Sequence, residues 1–393
     1  MTISKNVETI LTRSSFIRKM FEEGARLKAE HGADKVYDFS LGNPNLDPPE
    51  EFNKALIQAA GLSDKGYHGY MPNAGYPFVR EAVAKTISKE QNEDVKSGDV
   101  IMTCGAAGGL NVILKTILDP GDEVVVPAPY FVEYGFYAEN HGGILKTVQT
   151  KADFSLDLEA ISSAITQKTK AVLINSPNNP TGQVYSMEHL TELGNLLKSK
   201  SEEMGKTIYL ISDEPYRKIV FDGITVPSIF NCCTESIITS SYSKDLSIPG
   251  ERIGFIAVNP GAAFKEDLLN GMMLANRILG FVNAPALMQR VVGLLQGARV
   301  DASEYERKRN ILCEGLEKAG YDFIKPPGTF YLFPKTPIDD DVAFVDALRD
   351  ELILAVPGSG FGAPGYFRIA FCVADETITN ALPGFRRVME KFL

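Results

Sequence analysis

Lys244 lies in the run Ser241-Tyr242-Ser243-Lys244-Asp245-Leu246-Ser247-Ile248-Pro249-Gly250-Glu251-Arg252, flanked by small hydroxyl residues and followed by an arginine. The apolar segment 236–240 leads into it, so the lysine is expected just past the end of a buried strand. An ammonium group there is costly unless it does chemistry, and a desolvated lysine amine can form a Schiff base with a carbonyl. Ser241, Ser243 and Arg252 would then bind an anion beside it, the arginine through the planar fork that suits phosphate. The competing reading is a solvated surface charge, and the apolar lead-in argues against it.

Other segments carry the same kind of signal. Thr103-Cys104-Gly105-Ala106-Ala107-Gly108-Gly109 leads into a helical pattern, and the free N–H groups of a helix start bind phosphate. Ala106 and Ala107 offer only backbone, and the spacing is not the G-x-G-x-x-G of dinucleotide sites. Asn175-Ser176-Pro177-Asn178-Asn179-Pro180-Thr181-Gly182 is dense in breakers and reads as a loop. Asp213, in Ser212-Asp213-Glu214-Pro215-Tyr216, ends the apolar strand 208–211, as a helix cap, a paired charge or a functional acid. Arg368, in Gly365-Tyr366-Phe367-Arg368-Ile369, heads another apolar strand, either as a paired charge or as an anion site.

These side chains need a scaffold. From about residue 99 the pattern alternates strand and helix, with strands expected at 99–104, 123–127, 144–149, 170–175, 207–212, 236–241 and 253–258. Helices are expected near 107–118, 131–141, 157–165 and 187–200. This is an α/β pattern with a mostly parallel sheet. The motifs follow strands at their C-terminal ends, where open α/β sheets bind ligands. Residues 13–31 read as an amphipathic helix with Ile17, Met20, Phe21 and Leu27 near one face, and 285–319 read as mainly helical.

The order and spacing of these motifs resemble the class I pyridoxal-phosphate-dependent aminotransferases of fold type I, from about residue 35 to 372. The resemblance implies a three-layer α/β sandwich with a mostly parallel sheet, residues 46–298, plus a smaller α+β domain from 1–45 and 299–393. It makes Lys244 the cofactor-bearing base and sets Asp213 at the pyridine nitrogen, keeping it protonated. Asn179 and Tyr216 are assigned to the phenolic oxygen. Gly105, Ala106, Ala107, Ser241, Ser243 and Arg252 are assigned to the phosphate. Phe131 stacks on the ring, with Tyr130 as the neighbouring alternative. Arg368, Gly42 and Asn179 are assigned to the substrate α-carboxylate. Tyr70, in Gly69-Tyr70-Met71-Pro72, is expected to reach the phosphate of a neighbouring subunit, which implies a homodimer. Thr329, Phe330, Tyr331 and the partner's 276–284 loop are expected to shape the side-chain pocket.

The implied reaction is ping-pong transfer of an amino group between an α-amino acid and a 2-oxo acid, with aspartate and 2-oxoglutarate as the family-level pair. A lyase or decarboxylase on the same fold is the alternative. A non-catalytic regulatory protein of the same fold is the non-enzymatic one. The net charge of −10, with no basic cluster, argues against a nucleic-acid partner. Five cysteines without paired or metal-ligand spacing, and four scattered histidines, suggest reduced thiols, no metal and a cytoplasmic location. No run of about 18 apolar residues suggests a membrane span.

Overall fold

The computed structural model describes residues 2–12, 16–62 and 65–392. Its centre is a seven-stranded sheet. In spatial order the strands are Val100–Thr103, Gly254–Val258, Ser236–Ser241, Tyr209–Asp213, Thr169–Asn175, Glu123–Ala128 and Ile144–Gln149. All run in one direction except Gly254–Val258, which is antiparallel to both neighbours. Strands buried on both faces need apolar residues at successive positions. Val124 and Val126 pack on one face while Val125 packs on the other, and Ile237 and Ile238 divide in the same way.

Helices cover both faces. Gly105–Ile117 and Lys265–Ile278 pack on one, and Pro77–Gln91, Met187–Met204 and Ala286–Leu294 on the other. The register gathers the strand ends on one edge. Thr103 and Ser241 both pair with Gly254, and Asn175 pairs with Asp213. The segments that begin there, including those carrying Gly105, Asn179, Tyr216 and Lys244, therefore leave the sheet on the same side.

A second core forms around Phe39, Tyr305, Phe330, Phe344, Phe367 and Phe385. Tyr37–Asp38 runs parallel to Ile353–Leu354. The three-stranded antiparallel sheet Val356–Pro357, Phe367–Ala370 and Tyr331–Leu332 lies nearby, with helices Ala302–Lys318 and Asp375–Phe392 completing an α+β unit. Helix Phe16–His31 follows a shorter one at Lys5–Thr12, and Leu27 on it is buried. Residues 13–15 and the side chains of Ile17, Met20 and Phe21 lie outside the described residues. No described helix is long and apolar enough to cross a membrane.

Candidate active site

A cavity of about 300 Å³ opens at the C-terminal edge of the sheet. Lys244 enters it from the turn after strand Ser236–Ser241. Its Nζ donates to the Gly42 carbonyl at 2.8 Å and lies 5.3 Å from the Phe330 ring centroid. Burial lowers its pKa to about 8; the charges of Arg368 and Arg252 add to that, and Cys372 opposes it. An amine in that range is about one-tenth neutral at pH 7, far more than an ordinary lysine. Gly42 is tightly constrained, because a Cβ there would overlap the Tyr331 hydroxyl.

Asp213 closes strand Tyr209–Asp213 and is buried. Its Oδ2 accepts a hydrogen bond from the Tyr134 hydroxyl at 2.7 Å, while Oδ1 is buried without a partner. Burial raises the carboxyl from 3.8 to about 7, Tyr134 pulls it back, and neighbouring Glu214 raises it further. A half-satisfied buried carboxylate is an expensive feature, and a cationic N–H donor would satisfy it.

At one end of the cavity, helix Gly105–Ile117 presents its first turn, with no side-chain cap from Cys104, and Ala106 and Ala107 line the wall. Gly105 has φ +72°, and a Cβ would lie 2.7 Å from a nitrogen of the Arg252 guanidinium. Glycine therefore lets the arginine close on the helix start. Ser241 and Ser243 line the same cavity, which therefore offers helix-start N–H groups, hydroxyls and one arginine, donors that suit an anion.

Toward the second core, Arg368 is buried in strand Phe367–Ala370. Its Nη2 donates to the Ser40 carbonyl at 2.7 Å and its Nη1 to Asn179 Oδ1 at 3.1 Å. Its Nε has no partner, and no carboxylate pairs with it among the described residues. The guanidinium lies 4.5 Å from the Tyr331 centroid and 4.8 Å from that of Phe361. Asn179 is buried, its backbone N–H donating to Asn175 Oδ1 at 2.6 Å. Because its side-chain oxygen accepts from Arg368, its amide N–H group is left to donate elsewhere. The Tyr216 hydroxyl meets that of Tyr331 at 3.1 Å.

Phe131 lines the cavity, whereas Tyr130 is absent from its wall and packs against Gly362. Tyr331 lines it too. Phe330 sits beneath Lys244, and Thr329 is fully buried behind them. Tyr70 is not brought to this site in its own chain; it is 94% exposed. Tyr134 escaped the sequence reading. It stands three positions after Phe131 on helix Glu133–Glu139 and belongs to no motif, so its contact with Asp213, 79 residues away, left no local signal.

The donor set fits pyridoxal phosphate. The unpartnered Asp213 Oδ1 suits a protonated ring nitrogen, the converging donors around Gly105 and Arg252 suit a phosphate, and Lys244 suits an aldehyde carbon. The comparisons with known proteins agree. The family described as aminotransferase class I and II matches residues 34–385. A probable aspartate/prephenate aminotransferase of Aquifex aeolicus is 32% identical over 376 residues, covering 91% of each chain. A crystal structure of an aminotransferase from Eubacterium rectale superposes with a TM-score of 0.96 at 37% identity, covering 100% of this chain and 99% of that one. The aspartate aminotransferase of Thermus thermophilus with maleate gives 0.86 at 29% identity, covering 99% and 100%.

Proposed function

This chain belongs to the class I and II aminotransferases, which use pyridoxal phosphate, and we propose a division of labour among its residues for moving an amino group between an α-amino acid and a 2-oxo acid. When bound, the cofactor supplies the electron sink for the bond broken at the substrate α-carbon. The N–H groups of Ala106 and Ala107, the hydroxyls of Ser241 and Ser243, and Arg252 would hold its phosphate. Phe131 would pack against the ring. Asp213 Oδ1 would accept from the ring nitrogen while Tyr134 fixes the other oxygen, and that new partner would return the carboxyl to its ionised form. Asn179 and Tyr216 would donate to the phenolic oxygen.

Arg368 turns its free guanidinium edge to the substrate α-carboxylate, with the Gly42 backbone N–H beside it. Lys244 would then take the α-proton on Nζ and return it to the carbon on the other side of the transferred nitrogen, two bonds away. Its lowered basicity leaves neutral amine available for that step. The second oxo acid occupies the same cavity and reverses the path, which makes the cycle ping-pong. The observation that carries this reading is the lysine with depressed basicity sharing one cavity with a half-satisfied buried carboxylate.

The same reading makes the active unit a homodimer in which Tyr70 completes the neighbour's phosphate site, supported by the near-complete exposure of that tyrosine. It divides the chain at 46–298 and 1–45 with 299–393, supported by the separate second core and the pairing of Tyr37–Asp38 with Ile353–Leu354. A cytoplasmic location accords with five free cysteines. Aspartate is the first donor to try, since two of the relatives bear that name. A screen of amino donors against 2-oxoglutarate and pyruvate, read by the visible spectrum, tests the function. Conversion of the bound cofactor to its amine form by amino acids supports it; pyruvate and ammonia release without conversion points to a lyase instead.

A further inference from the structure

Behind the site lies a charge cluster that the reaction itself does not use. Glu214 follows Asp213 and Asp245 follows Lys244, and both line a small cavity of about 30 Å³ that shares Pro215 and Ser241 with the substrate cavity. Arg217 Nη1 binds Glu214 Oε2 at 3.0 Å, and its Nε lies 3.7 Å from Glu90 Oε2. Lys218 Nζ binds Asp245 Oδ2 at 2.9 Å and lies 3.7 Å from Glu90 Oε1. Glu90, on the last turn of helix Pro77–Gln91, is therefore the common ion-pair partner of two arms. One arm ends beside Asp213 and the other beside Lys244.

The cluster is tied to the backbone as well. Glu214 N donates to the Thr239 carbonyl at 2.8 Å, and Ser240 Oγ donates to the Glu214 carbonyl at 2.9 Å. Arg217 Nη2 donates to the carbonyls of Glu90 and Val226 at 2.8 and 3.0 Å. Asp245 carries the Val300 N–H on its carbonyl at 2.7 Å. Partly buried ion pairs add little net stability against apolar packing of equal volume, so a cluster this dense points to a role besides stability. Fixing geometry is such a reason, because displacement of a reacting group by about 1 Å can cost about 10²-fold in rate.

We propose that Glu90, Glu214, Arg217, Lys218 and Asp245 form a partly buried clamp that sets the position of Lys244 relative to Asp213, with Lys218 as its principal positioning residue. The clamp acts through the peptide steps 213–214 and 244–245, without touching substrate or cofactor. This rests on the roles given above to Lys244 and Asp213. When Lys218 loses its charge, Asp245 is left buried without its partner and the turn that carries Lys244 relaxes toward solvent.

Two measurements test it on the full-length protein. In the loaded enzyme, Lys218→Met lowers kcat by about 10–100-fold with KM little changed, and Lys218→Arg restores most of the loss. In protein freed of cofactor, the pH midpoint for acylation of Lys244, followed by peptide mass spectrometry, rises toward that of free lysine in Lys218→Met. A cluster that only supports folding would lower the melting temperature and leave both quantities alone. The clamp is refuted by a folded, cofactor-loaded Lys218→Met protein whose kcat and Lys244 labelling midpoint equal those of the wild type. If that variant does not fold, Glu90→Gln keeps the side-chain shape and carries the same expectation and the same refutation. The labelling readout needs no turnover, so failure of the clamp and failure of the transamination reading are told apart.

Discussion

Replacing Asp213 with asparagine should make the cofactor-free protein more stable and the enzyme much worse. The asparagine side-chain oxygen still accepts the Tyr134 hydroxyl bond, held at 2.7 Å in the wild type, so the packing survives. What disappears is a buried carboxylate whose pKa is raised from 3.8 to about 7, chiefly by burial. Between those two values the folded chain keeps a proton that the unfolded chain has already released. Wild-type stability therefore falls as pH rises across that window and levels off above it. At about 1.4 kcal/mol per pH unit, the ionised group costs the fold roughly 4 kcal/mol at pH 8 and under about 2 kcal/mol at pH 5. Urea unfolding of cofactor-free wild type and Asp213→Asn at pH 5 and pH 8 reads this directly. The variant's advantage should widen with pH. A gap that stays constant, or a wild type more stable at pH 8, refutes the argument. Pyridoxal phosphate should reverse the order, because the amide cannot balance a protonated ring nitrogen. Turnover should then fall by roughly 10²–10³-fold, the usual loss when a charge-stabilising partner is removed.

Borohydride reduction of the loaded protein should fix the cofactor on Lys244, and Lys244→Ala should abolish steady turnover; peptide mapping that finds the adduct on another lysine would overturn the assignment. Arg368→Lys loses the planar fork and the bond to Asn179 at 3.1 Å. It should lower kcat/KM for amino acids by roughly 10–200-fold, equal to about 1.5–3 kcal/mol, while sparing amines that lack a carboxylate. Equal losses for both substrate types would make Arg368 structural. Mixing Tyr70→Ala with Lys244→Ala should regenerate part of the activity in heterodimers carrying one intact site. Full activity in a verified wild-type monomer would contradict the shared phosphate site.

Much of the scaffold was legible because strands buried on both faces must be written as continuous apolar runs. The strands expected at 144–149 and 236–241 have those bounds in the structure, the first as a partly exposed edge strand, and the others differ by one or two residues. The antiparallel direction of Gly254–Val258 was not legible, since an apolar run reads alike in either direction. Strands of two residues, such as Tyr37–Asp38 and Tyr331–Leu332, are too short to show a period.

The sequence alone determined which chemistry is available. Lys244, Asp213, Asn179, Arg252 and Arg368 stand in local motifs, because a strand end, a breaker-rich loop and a helix start are all set by neighbouring residues. Tertiary structure decided how those groups are tuned and held. The pairing of Tyr134 with Asp213, the fit of Gly42 under the Tyr331 hydroxyl and the placement of Phe131 rather than Tyr130 on the cavity wall join residues far apart in the chain. So does the cluster around Glu90. The reason is physical: basicity and orientation depend on burial and on partners brought in by packing. A lysine amine near 8 and a carboxyl near 7 are properties of the folded interior, and no segment of the chain carries them by itself.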